Sequence, residues 1–116
     1  MKDRNEKLFL ADIQECCQKI ERYIAGINKE DFLADEILQD ALVRNIEIIG
    51  EASKNLSEKT REENTNVPWR DVMRMRDKIV HHYFRLNLEI IWRTVTEDIP
   101  ALKIEINKIL KAFGEK

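Results

Sequence analysis

Apolar residues return at three- and four-residue steps along nearly the whole chain, a period that fits α-helix and not strand. Phe9, Ile13, Cys16, Ile20, Ile24 and Ile27 form the first stripe. It predicts a helix from about Asp3 to Ile27, with Asp3 as its cap and Gly26, Asn28 and Lys29 marking the exit. Phe32 and Leu33 fall in a short turn-like segment expected to close one end of the core. Asp35 opens a second long helix with Leu38, Leu42, Ile46, Ile49, Ser53 and Leu56 inward. Gly50 lies inside that helix, where it costs roughly 1 kcal/mol against Ala, and so points to a close helix approach. From Ser57 to Asn66 the chain is polar and predicts at most a weak helical turn. Pro68 suits the first turn of the next helix, whose stripe is Trp69, Val72, Met73, Arg76, Ile79, Val80 and Tyr83. A loop from Phe84 to Asn87 follows, and Asn87 caps a helix with Leu88, Ile91, Trp92 and Val95 inward. Pro100 is expected to interrupt helical continuity near Asp98. Leu102, Ile106, Ile109, Leu110 and Phe113 make the last stripe, which Gly114 ends. The expected fold is all-α: one domain over 1–116, an up-and-down bundle of four to five helices.

Hydrophobic residues are 43% of the chain and charged residues 36%, the balance of a soluble globular protein. No apolar run approaches the ~18 residues of a membrane helix. The stretch Met1 to Glu6 lacks the apolar region of a signal peptide, so a cytoplasmic location is expected. In such a reducing compartment the adjacent Cys16 and Cys17 are read as free thiols beside the apolar stripe. Net charge is −2, which does not by itself announce a nucleic-acid partner. Its distribution differs. Between Trp69 and Arg93 the bases Arg70, Arg74, Arg76, Lys78, Arg85 and Arg93 outnumber the acids Asp71, Asp77 and Glu89. Such a local excess attracts phosphates, unless these are simply solvated helix faces.

Inside that stretch lies Arg76-Asp77-Lys78-Ile79-Val80-His81-His82-Tyr83. Arg76 is a permanent cation with a planar fork of donors. His81 is the side chain that exchanges a proton near neutral pH, and Tyr83 adds a hydroxyl. A cation on a core-facing stripe is costly unless it is paired or part of a site. One pairing would bridge Arg76 to Glu47 or Glu51. At about 100° per residue, Arg76 and Tyr83 project within about 20° of each other, while His81 lies about 140° from Arg76. A straight helix therefore does not put Arg76 and His81 on one face. The helix unwinds near His82, or the Arg side chain reaches around, or two copies meet across a two-fold axis. His82 is read as surface. No Gly-rich phosphate loop and no zinc-like Cys or His spacing is present, so neither a metal nor a cofactor is expected.

The Arg-four-residues-His-one-residue-Tyr spacing resembles the signature of the HEPN ribonucleases, in the branch of small bacterial toxins called HepT. The flanks resemble it too: Val67-Pro68-Trp69 and Phe84, then Ile90-Ile91-Trp92 and Asp98-Ile99-Pro100, and upstream Arg44 to Ala52. Asp77 departs from the Asn that many members carry. The resemblance implies a cytoplasmic toxin of a toxin–antitoxin pair, a metal-independent endoribonuclease acting as a symmetric homodimer with a shared motif cleft. Its RNA would be a tRNA or an mRNA. Arg76, Asp77, His81 and Tyr83 are the implied catalytic set, with Arg74, Lys78 and Arg85 along the RNA. Such RNA cleavage uses the substrate's own 2′-OH. His81 would serve as base or acid, Arg76 would hold the crowded phosphate, Tyr83 would hydrogen-bond it, and Asp77 would orient Arg76 or His81. The family also implies an antitoxin partner, the minimal nucleotidyltransferase MntA, which adds AMP to the motif tyrosine, here Tyr83. Against this stands a non-catalytic helical module that scaffolds or regulates the nucleotidyltransferase; against modification stands a core Tyr83 whose hydroxyl meets a backbone carbonyl.

Overall fold

The computed structural model describes residues 2–80 and 85–114, so His81, His82, Tyr83 and Phe84 lie outside the described residues. The first stripe folds into α1 (Lys2–Ile24), and Asp3 falls inside its first turn rather than ahead of it. Gly26 follows at φ 74, the left-handed conformation that only glycine adopts at no steric cost. The expected turn-like segment is a short helix, α2 (Lys29–Leu33). Asn28 and Asp31 close a reciprocal capping box there: each side chain accepts from the other's backbone N–H. Phe32 is fully buried, and its ring centroid lies 5.2 Å from that of Trp92, closing one end of the core.

Asp35 caps α3 (Glu36–Asn55), its carboxylate accepting from Leu38 N at 3.0 Å. Leu42, Ile46, Ile49 and Ser53 of the predicted stripe are buried; Leu38 is half-buried. The buried Ser53 hydroxyl donates to Ile49 O at 2.7 Å. The polar stretch after Leu56 forms more than a weak turn. Ser57 caps a six-residue helix, α4 (Glu58–Glu63). From it Arg61 Nη1 donates to Ser53 O at 3.1 Å and Leu56 O at 2.6 Å, adding a charged donor where the carbonyls of a helix end lack intrahelical partners.

The predicted helix after Pro68 is two short ones, α5 (Trp69–Met73) and α6 (Met75–Ile79). Asn87 then caps α7 (Leu88–Arg93), as its sequence predicts. Val80 and Leu86 form an isolated antiparallel bridge, and Asn87 N donates to Ile79 O at 2.7 Å. Pro100 does not interrupt the helix. A π turn (Thr94–Asp98) joins α7 to α8 (Ile99–Gly114). Proline lacks an N–H, and its ring clashes with the carbonyl four residues back. The wider turn accommodates it: Ile99 N–H reaches Thr94 O, five residues back.

In the bundle α1 packs on both α3 and α8, while α2, α5, α6 and α7 pack on α3. Gln14 Nε2 donates to Asn107 Oδ1 at 2.8 Å, and Lys103 pairs with Glu21 at 2.6 Å, tying α1 to α8. Ile13, Ile20, Ile46, Ile49, Ile79, Ile99 and Ile106 are all fully buried. Cys16 and Cys17 are buried free thiols. Burial pushes both up, Cys17 to about 12, so they stay protonated at neutral pH and serve as core. Among the described residues no helix is long and apolar enough to cross a membrane.

One buried carboxylate ties the chain's start to its middle. Glu6 is 7% exposed and accepts from Ser57 N at 2.8 Å and Thr60 Oγ1 at 2.5 Å. Burial pushes its carboxyl up. The hydrogen bonds from Thr60 and Ser57, with the Arg61 charge, outweigh that and hold it below its ordinary value of 4.5. A lowered carboxyl contributes stability above its unfolded pKa and loses it as pH falls through the folded one. Glu6→Gln is therefore expected to cost about 1–2 kcal/mol at neutral pH. Denaturant melts at pH 7 and at about pH 2.5 should show the gap shrinking in acid as Glu6 takes up its proton.

Candidate active site

Arg74 sets the register of the motif. It sits between α5 and α6 at φ −108, ψ 7, in the bridge region rather than the helical one. The chain turns there, so α6 enters the core with Met75 and Ile79, while Met73 is only half-buried. Arg76 is correspondingly not on the core-facing stripe that an unbroken helix predicts. Its side chain is 46% exposed.

Arg76 meets α3. Its Nε donates to Glu47 Oε2 at 2.8 Å. The reach is set one turn away at Gly50, which is buried. A methyl group on its Cα would lie 3.5 Å from Met73 O and 3.6 Å from Val72 O. The last turn of α5 thus rests on the α3 backbone at Gly50. The approach is close, as a mid-helix glycine suggests, although a Cβ there would sit at ordinary contact distance. Glu47, a turn before Gly50, then faces Arg76, which follows Met73 by three residues. The two segments that carry the family resemblance, Arg44 to Ala52 and Arg76 onward, are in direct contact.

A groove of about 290 Å³ runs along this contact, lined by Glu47, Gly50, Glu51, Lys54, Met73, Arg76 and Asp77. The basic excess counted along residues 69–93 does not survive folding here. Glu47 and Glu51 come in from α3, and Asp77 from α6, against Arg76 and Lys54. Asp77 is exposed beside Arg76, but the carboxylate that holds Arg76 is Glu47's. Of the expected RNA contacts, Arg74 and Arg85 are exposed, and Lys78 is exposed with Asp71 at 3.7 Å. A larger cavity of about 470 Å³ lies on the other flank of α5 and α6, against the π turn and α8. It takes Lys78 and Arg93 on its rim and does not include Arg76. Among the described residues no three His, Cys, Asp or Glu side chains gather to hold a metal ion.

His81 and Tyr83 lie outside the described residues. Val80, which precedes them, ends α6 in an extended conformation. The angle computed for one straight helix through Arg76 and His81 therefore does not apply. Glu47 is the residue that the motif's own spacing could not supply. The sequence offers it only as one of two carboxylates, with Glu51, that could pair with Arg76.

The described fold is a small helical domain in which an arginine at the start of a short helix is held by a carboxylate of the central one. Residues 13–109 match the sequence profile described as Ribonuclease HepT-like. The chain belongs to this HepT-like family. A protein named probable ribonuclease HepT, from Thermococcus cleftensis, is 44% identical over 93% of this chain and 98% of its own length. A putative RNase of Caldanaerobacter subterraneus subsp. tengcongensis is 48% identical over 85% of this chain and 88% of its own. A putative RNase of Methanocaldococcus jannaschii is 34% identical over the full length of both. No solved structure matches the chain significantly.

The register has a direct test. An exposed ion pair contributes ~0–1 kcal/mol, whereas emptying a core methionine site costs ~2–5 kcal/mol. Arg76→Ala and Glu47→Ala should each leave the unfolding free energy within about 1 kcal/mol of the parent. Met75→Ala should lower it by at least about 2 kcal/mol. The reverse order in urea melts would put Arg76 on the inward face.

Proposed function

We propose that this chain is a toxin ribonuclease that cleaves RNA through the substrate's own 2′-OH. The observation that carries the reading is Arg76, held at the surface by Glu47 at the start of α6, five residues before His81. Membership in the HepT-like family supports it. The relatives named as ribonucleases cover the chain almost end to end.

The proposed reaction needs no external nucleophile. One His81 takes the proton of the 2′-OH as that oxygen bonds to phosphorus. The P–O5′ bond breaks, and the 5′ oxygen leaves with a proton from an acid. Arg76 stabilises the extra negative charge on the crowded phosphate. A homodimer with a shared cleft supplies the second His81 as that acid. Tyr83 donates to a phosphate oxygen, Asp77 orients Arg76 or His81, and Arg74, Lys78 and Arg85 follow the flanking backbone. The chain acts in the cytoplasm on a tRNA or an mRNA. Its partner is a minimal nucleotidyltransferase antitoxin of the MntA type. The antitoxin joins AMP to the Tyr83 hydroxyl and releases pyrophosphate from ATP. The added phosphate pairs with Arg76 in place of RNA and blocks the cleft.

Arg76→Ala and His81→Ala should each abolish RNA cleavage and growth inhibition, with helical content and melting unchanged. Folded His81→Ala that cuts RNA at the parental rate removes His81 from the mechanism. Cleavage should persist in EDTA and leave a 2′,3′-cyclic phosphate. A 2′-deoxy nucleotide at the cut site should stop it. Activity lost to chelation and restored by added metal would overturn the metal-independent route. Co-expression with the nucleotidyltransferase should add AMP mass to the peptide carrying Tyr83. Neutralisation with Tyr83 unmodified would mean inhibition by binding alone. A chain that harms no host and cuts no RNA would favour the scaffold reading.

A further inference from the structure

We infer that Glu47 is the positioning residue of this site. Its carboxylate fixes the Arg76 guanidinium so that the two terminal Nη groups, and not Nε, face the scissile phosphate. The inference rests on the ribonuclease reading above.

A guanidinium offers two edges for an oxyanion: Nε with one Nη, or both Nη groups together. Glu47 engages the first edge through the 2.8 Å bond to Nε. Among the described residues the hydrogen bond from Arg76 runs through Nε and none runs from either Nη, and the side chain is 46% exposed. A long arginine side chain at a surface samples many rotamers, and a fixed carboxylate removes that freedom. Glu47 is well placed to be fixed. It sits mid-way along α3, which Asp35 caps at one end and Arg61 at the other. The Gly50 contact sets the gap that it spans. Neither nearby carboxylate does this. Glu51 pairs with Lys54 at 3.6 Å. Asp77 follows Arg76 directly, and helix neighbours point about 100° apart.

A donor aimed before the reaction stabilises developing charge without reorganising. Loss of Glu47 should therefore lower kcat rather than weaken binding. Removing an anion beside the phosphate should leave KM unchanged or lower it.

The test is steady-state cleavage of a defined RNA by the folded full chain. Glu47→Gln keeps the size and an acceptor oxygen but loses the charge. Its kcat should fall about 10- to 100-fold, short of the ~10²–10³ that loss of a donor itself costs, while KM does not rise. Glu47→Asp keeps the charge with a shorter reach and should fall between, and it decides the matter should Glu47→Gln not fold. In an Arg76→Lys background, which has no Nε, Glu47→Gln should add little further loss. A parent that cuts RNA, with Glu47→Gln at parental kcat or with losses that multiply fully, overturns the positioning role and leaves the ribonuclease reading standing. A parent that cuts no RNA overturns the ribonuclease reading, and the role of Glu47 with it.

Discussion

Two helices can meet at backbone distance only where side chains leave room, and α3 leaves it at Gly50. Glycine in a helix interior gives up roughly 1 kcal/mol against alanine. What the fold gains is the seat of α5. With Val72 and Met73 carbonyls 3.6 and 3.5 Å from the position of a Cβ, the last turn of α5 has one height above α3. The break at Arg74 then decides which way α6 leaves that seat. Met75 and Ile79 turn inward, and Arg76 comes out beside Glu47. A Cβ at position 50 would still fit, but a side chain extending beyond it would lift α5 and carry Arg76 away from its carboxylate. The close approach at one residue therefore bears on a contact a full turn away in each direction.

The long elements were legible because burial alone dictates them. The stripes of α1, α3 and α8 place Ile13, Ile20, Ile46, Ile49, Leu102 and Ile106 in the core where the period says they belong. Gly50 was legible as a packing residue for the same reason. The exceptions share a cause: a local hydrogen-bonding choice that periodicity does not encode. Ser57 turned a polar stretch into α4 by capping it, and the helix gave Arg61 a use at the end of α3. Pro100 looked like a stop, yet a single π turn before it restored the helix. Arg74 carries no sequence mark of a break, and that break moved Arg76 from an apparent core position to the surface. The pairing of Arg76 with Glu47 could be posed from sequence only as a choice between Glu47 and Glu51. Nothing in sequence spacing measures the gap between two helices. Gly50 implied that the gap was small but not which carboxylate would face it.

Charge along the chain and charge on the surface also part company here. Counting from Trp69 to Arg93 gives a basic segment. Folding sets that segment against α3, whose polar flank carries Glu47 and Glu51. Lys78 is likewise shared with Asp71 at 3.7 Å. Arg76 is therefore spoken for by Glu47 and Lys78 by Asp71, and exposed charges beyond ~10 Å are screened in any case. Cations such as Arg74 and Arg85, exposed outside the groove, are better placed to meet a backbone.

A carboxylate beside a phosphate-binding arginine invites the objection that it repels the substrate. The magnitudes answer it. Two unit charges about 5 Å apart in a water-like medium interact by ~0.8 kcal/mol, and salt reduces that further. The Glu47–Arg76 pair is nearly half exposed on both sides, so that regime applies before substrate arrives. A donor already aimed at developing charge is worth ~2.7–4 kcal/mol in the transition state. Even a third of that, attributable to aim alone, outweighs the repulsion. The balance shifts further once RNA covers the groove. Water then leaves, the effective dielectric falls, and the arginine's own attraction to phosphate grows along with the carboxylate's repulsion. The arginine donates directly while the carboxylate stands behind it, so the nearer charge gains more. In the proposed role, a carboxylate that weakens encounter slightly is compatible with one that strengthens the step after it.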